Sequence, residues 1–434
     1  MLRIKFISTL LMTCLTLVAH SQVSSADSLK VMFYNVLNFP DPNPAGKEDT
    51  LKTIMDYIQA DLLMVCELKT ATGASMILDD ALNADGLNKW RKADFTTNTS
   101  SGANLQQLVF YNQNKLSLFS QDVIQTHVRD FNEYIFFLRD PFLAGHLDTT
   151  WLDVYVTHLK AGDSAPDRAD RARMADSLRT YLDGRPPGRN IIFSGDFNLY
   201  NSSEQAWSTI TEIGSDNVLI DPIDVSGSWN NSSSFADVHT QSTRTSSIFG
   251  DGAGGGMDSR FDFIMLSETI MFPSNRISYI EDSYTAFGND GSCFNQRVLD
   301  CDAVPPRINS ALYYMSDHIP VIVDLSISYP IFSGIEENPI PESVQNVWWA
   351  SGSLYIESKK SISSSQVSII GLDGKQYLQY DDLRLNSGIN TLSLPLRIPN
   401  GMYLIEILDL TQLSNTNSQS LSLQTNFSRI YISN

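Results

Sequence analysis

Six short segments place a carboxylate, an amide or an imidazole at or near the end of an apolar run. Ile191-Ile192-Phe193-Ser194-Gly195 leads into Asp196, with Asn198 two residues on and on the same side. An aspartate there can orient a water or bind a metal, and an asparagine can hydrogen-bond a phosphoryl oxygen. Gly-Asp and Asn are also ordinary turn formers at a strand end. Asp317-His318 precede Ile319-Pro320-Val321. A histidine among carboxylates holds or takes a proton near neutral pH, although a lone histidine is as readily a surface or satisfied core residue. Glu67 follows Leu62-Leu63-Met64-Val65-Cys66. A carboxylate ending a buried run needs compensation, from a hard cation such as Mg2+ or by capping the next segment. Asn35 shares a face with Val31 and Phe33, so it must be bonded inside, as structural glue or at a metal site. His158 ends the run Val154–Thr157, where it can neutralise a phosphoryl oxygen or leaving group, or be a satisfied core histidine. Asp262, within Arg260-Phe261-Asp262-Phe263-Ile264, suits the orienting partner of a histidine or a solvent-facing strand position.

These groups act together only if the elements gather them. Leu29, Val31 and Phe33 alternate as in a strand, and Leu51, Ile54, Met55 and Ile58 repeat at helical spacing. The run 61–65 reads as a buried strand, and further strands are expected at 107–111, 134–138, 151–157, 190–194, 261–266 and 318–325. Helices are expected at 167–182, ending near Gly184, and at 203–213, ending at Gly214. Mixed strands with interspersed helices predict an α/β fold of two packed sheets covered by helices. A layered fold of that kind can collect strand-end groups in one cleft. Oxygen ligands without a His/Cys cluster favour Mg2+ or Ca2+ over zinc.

The ordered set Asn35, Glu67, Thr157-His158-Leu159, Gly195-Asp196-Phe197-Asn198, Asp262 and Ser316-Asp317-His318 closely resembles the endonuclease/exonuclease/phosphatase superfamily, over about residues 28–328. The resemblance implies a four-layer α/β sandwich and metal-dependent phosphoester hydrolysis. It casts Glu67 as the main metal ligand, with Asn35 and Asp317 nearby, and Asp196 and Asn198 as orienting water and phosphate. His318, paired with Asp262, falls on the base side, and His158 faces the phosphoryl oxygens or the leaving side. Mg2+ is the expected ion, with Mn2+ or Ca2+ as alternatives. The segment His158-Leu159-Lys160-Ala161-Gly162, the helix carrying Arg168, Arg171 and Arg173, and Gly195–Tyr200 resemble secreted bacterial nucleases of this superfamily. Nucleic acid is therefore the expected substrate, with Lys160 and Arg171 as candidate phosphate contacts, unless they belong to a solvated helix face. The sphingomyelinase and inositol-phosphatase branches share the core motifs, so a lipid or sugar-phosphate phosphodiesterase or phosphatase is the alternative. An inactive binding module is the third reading. No long aromatic hairpin of the kind that dips into lipid is evident. The glycine-rich stretch Phe249–Gly256 lacks Gly-Lys-Ser/Thr and reads as a flexible loop placed to line the cleft.

Composition sets outer bounds. The chain has 434 residues, 42% hydrophobic and 10% aromatic, which excludes disorder over most of its length. Its formal charge of −19 excludes a generic polyanion binder held by a basic surface. Phosphate chemistry here needs local compensation, which a bound cation supplies. Residues 1–21 read as a secretory signal peptide: Arg3 and Lys5, the apolar run Phe6–Ala19, then Ala19-His20-Ser21. That run is shorter than the roughly 20 residues of a span, and nothing later approaches one. The expectation is a monomer without an integral membrane segment, exported through the periplasm and secreted or held at the cell surface. Four cysteines exclude a disulfide-built scaffold. Cys293 and Cys301, in one polar loop, are free to pair after export, and Cys66 reads as a buried thiol.

The catalytic domain is expected over 27–330, a linker rich in Pro and Glu over 331–345, and a small all-β sandwich over 346–434. Strand-like runs recur in that tail at Leu354–Glu357, Val367–Ile370, Leu392–Leu394 and Met402–Leu408. Ser353–Glu357, Val367–Lys375 and Leu396–Ile405 resemble the C-terminal sorting domains of type IX secretion in Bacteroidetes-type bacteria, which implies that machinery as a partner. The polar stretch Thr411–Ser420 departs from the pattern. A carbohydrate-binding or adhesion module is the alternative, with Trp348-Trp349 as its hint.

Overall fold

The computed structural model describes residues 23–41, 44–100, 104–141, 143, 149–272, 276–331, 343–350, 353–371, 376–393, 398, 401–410 and 426–432. The expected leader, most of the expected linker, Leu396-Arg397 and Thr411–Ser420 lie outside the described residues. The chain divides into two compact units, residues 1–331 and 332–434.

Among its described residues the first unit holds two sheets. One comprises β1 (Val23–Phe39), β2 (Leu62–Leu68), β3 (Trp90–Lys92), β4 (Gln106–Asn112), β11 (Ile277–Tyr279), β12 (Thr285–Ala286) and β13 (Val321–Ile331). Its order is β11-β13-β1-β2-β4-β3, with β12 also on β13. The other comprises β5 (Leu116–Ile124), β6 (Phe131–Leu138), β7 (Trp151–His158), β8 (Ile191–Asp196), β9 (Leu219–Ile220) and β10 (Asp262–Ser267), in the order β5-β6-β7-β8-β10-β9. Each sheet has one parallel pair, β1 with β2 and β7 with β8. The next strands on the other side, β13 and β10, run antiparallel. The carboxyl ends of β1, β2, β7 and β8 therefore share an edge with the starts of β13 and β10. All six expected site segments fall on that edge, where crevices of open α/β sheets form.

The packing follows from which residues each face presents. Leu62–Cys66 is apolar without a break and buried throughout, as a strand covered on both faces must be. Val154, Val156, Ile192 and Ile264 of the second sheet share one core with Val31, Phe33, Met64 and Val323 of the first. The alternate residues Tyr155, Phe193 and Phe263 pack with Met174, Ala175 and Leu178 of a helix on the outer face. Three longer helices cover the sheets: α1 (Lys47–Ile58), α2 (Ala165–Asp183) and α3 (Pro306–Met315). Helix α1 buries Leu51, Ile54, Met55 and Ile58. Helix α2 starts with a Ser164–Asp167 capping box and ends at Gly184. The result is the four-layer α/β sandwich.

Several elements differ from the sequence reading. The last strand begins at Val321, because Asp317–Pro320 leave the sheet for the site. The helix expected at 203–213 spans only Gln205–Ile210. Strand β5 and helix α3 go beyond the sequence reading; β5 is half-exposed over Ser117–Asp122, where Phe119 faces outward among polar residues, which hides its apolar periodicity. The second unit has a three-stranded sheet, Val344–Ala350, Ser353–Ser358 and Gly388–Ser393, and a four-stranded one, Ile362–Gly371, Gln376–Leu385, Gly401–Asp409 and Asn426–Ile432. Leu354, Ile356, Val367, Ile369, Ile405 and Ile407 form its core, a β-sandwich. Its first strand begins inside the segment expected to be linker. Among the described residues no helix is long and apolar enough to cross a membrane.

Candidate active site

Register places the site residues. Along the second sheet His158 pairs with Asp196, and Asp196 with Asp262, so three functional groups stand in one row. Strands β7 and β8 approach closely because position 195 is glycine: a Cβ there would meet the Thr157 carbonyl oxygen at 2.4 Å. Across the cleft, Asn35 pairs with Cys66, and Glu67 follows with a left-handed φ of 59°. That backbone is costly for a residue with a Cβ. It breaks the strand alternation at Glu67, whose Oε1 accepts from Asn35 Nδ2 at 3.0 Å.

Asn35 is the hub. Its Nδ2 also donates to Asp196 Oδ2 at 3.1 Å, and its Oδ1 accepts from Leu37 N at 3.0 Å. Asp196 Oδ1 takes the backbone N–H of Asn198 at 3.0 Å, and Asn198 Nδ2 donates to the Leu159 carbonyl at 3.3 Å. His158 Nε2 lies 3.5 Å from Asp196 Oδ2 and 3.9 Å from Glu67 Oε1. His318 Nδ1 is 2.6 Å from Asp262 Oδ2, and its Nε2 is 3.8 Å from Asp196 Oδ2. Two groups of ligand atoms are close enough to share an ion: Glu67 with His158 and Asp196, and Asp196 with Asp262 and His318. Asp317 joins from outside both groups, its Oδ2 accepting from Ala253 N at 2.7 Å.

Burial and charge set the proton affinities. Burial raises the pKa of Asp196, with Asp262 and Glu67 adding repulsion against the pull of His318. Burial likewise raises Glu67, assisted by Asp317. His158 is pushed well below the ordinary histidine range by burial, then by Arg129 and His318. For His318 burial works downward, but Asp262, Asp317 and Asp196 together outweigh it and leave the pKa well above the ordinary range. The two histidines are thus driven apart: His158 stays neutral and His318 binds a proton avidly. Pairs separated in this way are a mark of functional sites.

The structure brings together Asn35, Glu67, His158, Asp196, Asn198, Asp262, Asp317 and His318, all eight of the expected core residues. It does not bring in the two expected phosphate contacts. Arg171 has no exposed side-chain surface; it pairs with Glu204 at 2.7 Å and donates to the Lys160 and Gly162 carbonyls. The reading of Arg171 as a substrate contact is therefore corrected: it is a buried strut between α2 and two loops. Lys160 is tied to Asp167 at 2.6 Å, at the start of α2.

Other residues at the site carried no motif. Gln241 Nε2 lies 2.7 Å from His318 Nε2 and 3.1 Å from Asp317 Oδ2. Arg129 Nη1 donates to Leu159 O at 2.7 Å, and its charge is felt by Asp196 and Glu67. The glycine-rich loop does line the cleft. Asn38 Nδ2 donates to Asp251 at 3.0 Å, and Gly252, at φ +82°, sits where a Cβ would fall 3.1 Å from that of Asp317. Gln241 and Arg129 lie in polar text without periodicity, which carries no signal for either contact.

The protein-family comparison matches residues 32–318 to the Endonuclease/Exonuclease/phosphatase family. No curated protein matches the chain at a significant level. Similar solved structures include the catalytic domain of human Nocturnin with bound sulfate, at 14% identity and TM-score 0.41, covering 70% of this chain and 97% of that one. The D. rerio TDP2 complex with a single-strand DNA product is 14% identical with TM-score 0.43, covering 69% and 98%. An endonuclease/exonuclease/phosphatase family protein of Bacteroides thetaiotaomicron is 16% identical with TM-score 0.41, covering 70% and 97%. The family match spans most of the first unit, from Met32 to His318. This chain belongs to the endonuclease/exonuclease/phosphatase family.

Proposed function

We propose that this protein is an exported, divalent-cation-dependent phosphodiesterase whose substrate is nucleic acid, DNA or RNA outside the cell. The observation that carries the hydrolytic reading is the His318–Asp262 pair facing Asp196, His158 and Glu67 on one strand-end edge. The donor set fits a hard cation: the carboxylates of Glu67, Asp196 and Asp262 crowd together beside the two histidines, and buried oxygens of Asp262 and Asp317 have no hydrogen-bond partner among the described residues. Glu67 and Asp196 would hold the ion, with Asn35 and Asp317 adjacent, and Mg2+ suits oxygen donors best, with Mn2+ or Ca2+ as alternatives. When bound, such a cation withdraws charge from a phosphoryl group.

The protein side chains account for the proton movements. Hydrolysis requires a water to lose a proton as its oxygen bonds to phosphorus and the ester oxygen leaves. His318 Nε2 accepts that proton, while Asp262 holds the ring through Nδ1 and stabilises the charge it gains. Asp196 and Asn198 orient the water and a phosphoryl oxygen. His158 is neutral, and its Nε2 faces carboxylates, so Nε2 carries the hydrogen and donates a hydrogen bond, without giving up the proton, to a phosphoryl or leaving oxygen, which takes its proton from solvent. Arg129 adds positive charge beside the cluster.

One observation favours a second substrate class. Lys160 and Arg168, in the stretch that follows His158, are each paired with an acid, Arg171 is buried against Glu204, and the chain is strongly acidic. A lipid or sugar phosphodiester with few charges would meet less repulsion. The deciding experiment incubates the purified protein with plasmid DNA, RNA and sphingomyelin vesicles, with Mg2+, with EDTA, and as His318→Ala. Cleavage of nucleic acid that needs both metal and His318 supports the nuclease reading. Turnover of the lipid alone would replace it.

For export, support comes from the leader-like start and from the Cys293–Cys301 disulfide, a bond of oxidising compartments. The β-sandwich tail is proposed as the sorting domain read by type IX secretion. Cell fractionation of the full gene product, with and without residues 346–434, tests this: loss of the truncated protein from the medium is expected, and unchanged secretion would refute it.

A further inference from the structure

Gln241 belongs to none of the motifs that marked the site, yet its amide touches both residues of the Asp317-His318 pair. Its Nε2 lies 3.1 Å from Asp317 Oδ2. An ionised carboxylate only accepts, so the amide atom there must be the N–H2 group. The same nitrogen lies 2.7 Å from His318 Nε2. With one hydrogen on Asp317, its second faces the ring, and Nε2 accepts it in the neutral ring, the form that takes a proton from water. On the opposite side His318 Nδ1 meets Asp262 Oδ2 at 2.6 Å. The ring is therefore held at both nitrogens, by an acceptor at Nδ1 and a donor at Nε2.

The backbone around Gln241 makes this placement firm. Gln241 N donates to Ser259 O at 3.1 Å, and Ser259 N returns a bond to Gln241 O at 2.9 Å. Ile319 N donates to Thr240 O at 2.8 Å, and Thr243 N to Asp317 O at 3.0 Å. Thr240 Oγ1 accepts from Asp262 N at 3.2 Å. Residues 240–243 thus bind the start of β10, which carries Asp262, to the segment that carries Asp317 and His318. The side chain remains half-buried, within reach of an arriving water.

We propose that Gln241 is a positioning residue for the hydrolytic reaction: its amide holds the His318 ring with Nε2 presented as an acceptor and ties that ring to Asp317. This rests on the hydrolytic reading given above. When substrate arrives, the attacking water takes the place of one amide hydrogen at Nε2, and the other keeps the amide on Asp317. No bond to Gln241 forms or breaks, and the water proton passes to His318.

The test compares wild type with Gln241→Met, which keeps the length and removes the amide, and with Gln241→Ala should the first variant fail to fold by circular dichroism. Hydrolysis of bis(p-nitrophenyl) phosphate with Mg2+ gives kcat and KM. The expected result is a fall in kcat of about tenfold, the scale of one hydrogen bond, with KM unchanged. A second readout needs neither metal nor substrate: the ring 15N signals of His318, assigned by their absence in His318→Ala and taken at a pH where the ring is neutral. In the variant the Nε2 signal should move toward that of an unbonded imidazole nitrogen. Wild-type kcat with an unmoved signal would overturn the proposal. A raised KM at unchanged kcat would also overturn it, making Gln241 a substrate contact. Failure of the wild type to hydrolyse any phosphoester would instead defeat the hydrolytic reading, and the 15N comparison would still decide the positioning claim.

Discussion

His318 and His158 have the same side chain and opposite proton affinities, and the difference lies in what surrounds each ring. Three carboxylates face His318, whereas Arg129 and His318 itself face His158. Two expectations belong to this scale. His318→Ala should lower kcat by about 10²–10⁴-fold, the usual worth of a positioned acid or base, with the far-ultraviolet circular dichroism unchanged; a smaller loss would remove it from the proton path. The second concerns pH. His318 must be neutral at Nε2 to take a proton, and its pKa is raised, so activity should rise with pH through a limb lying above 6.5. Asp262 is the largest of the charges that raise it. Asp262→Asn should therefore move the limb to lower pH while also reducing the maximal rate. A pH–rate profile of kcat for both proteins checks the direction, and an upward shift would contradict the pairing.

At the scale of elements, the site depends on strand ends held by groups that never meet substrate. Arg171 on α2 is the clearest case. A buried arginine that donates from Nε and Nη2 to Glu204 Oε2 and from Nη1 to two carbonyls leaves an uncompensated carboxylate when removed, a loss of about 3–5 kcal/mol. Arg171→Ala should unfold at markedly lower denaturant concentration, and the folded fraction should keep the wild-type KM. A variant of normal stability with a raised KM would restore Arg171 as a phosphate contact. Arg260 plays a comparable part at the start of β10, where it pairs with Asp221 at 2.8 Å beneath Phe263.

At the scale of the whole molecule, charge and reaction pull against each other. The strongly acidic chain must admit an anionic substrate, and local cations answer that only at the site itself. Basic nucleic-acid binders weaken as salt rises, because counterions compete for phosphates. Here salt should screen repulsion instead. The KM for DNA, measured at fixed free Mg2+ between low and physiological ionic strength, should fall or stay level as salt increases. A steep rise would reveal a basic track that the paired surface cations do not suggest. Residues 346–434 add no net charge to this balance, since their acidic and basic residues cancel.

Much of this protein was legible in the amino-acid order. Apolar runs that end in Glu67, His158 and Asp196 predict both the strands and the polar groups at their mouths, because strand burial and strand termination are local properties. The capping box at Ser164 and the stop at Gly184 are equally local. Other features are decided only by tertiary structure. Nothing in the text near Gln241 says that its amide will lie between Asp317 and His318, since that contact depends on how residues 240–243 cross two strand starts. Arg171 shows the converse: a basic residue on a helix beside a site motif reads as a phosphate contact, and only packing reveals that Glu204 already holds it. Local sequence determines which chemistry each element offers; the three-dimensional register determines which of those groups meet, and therefore which of them are free to act.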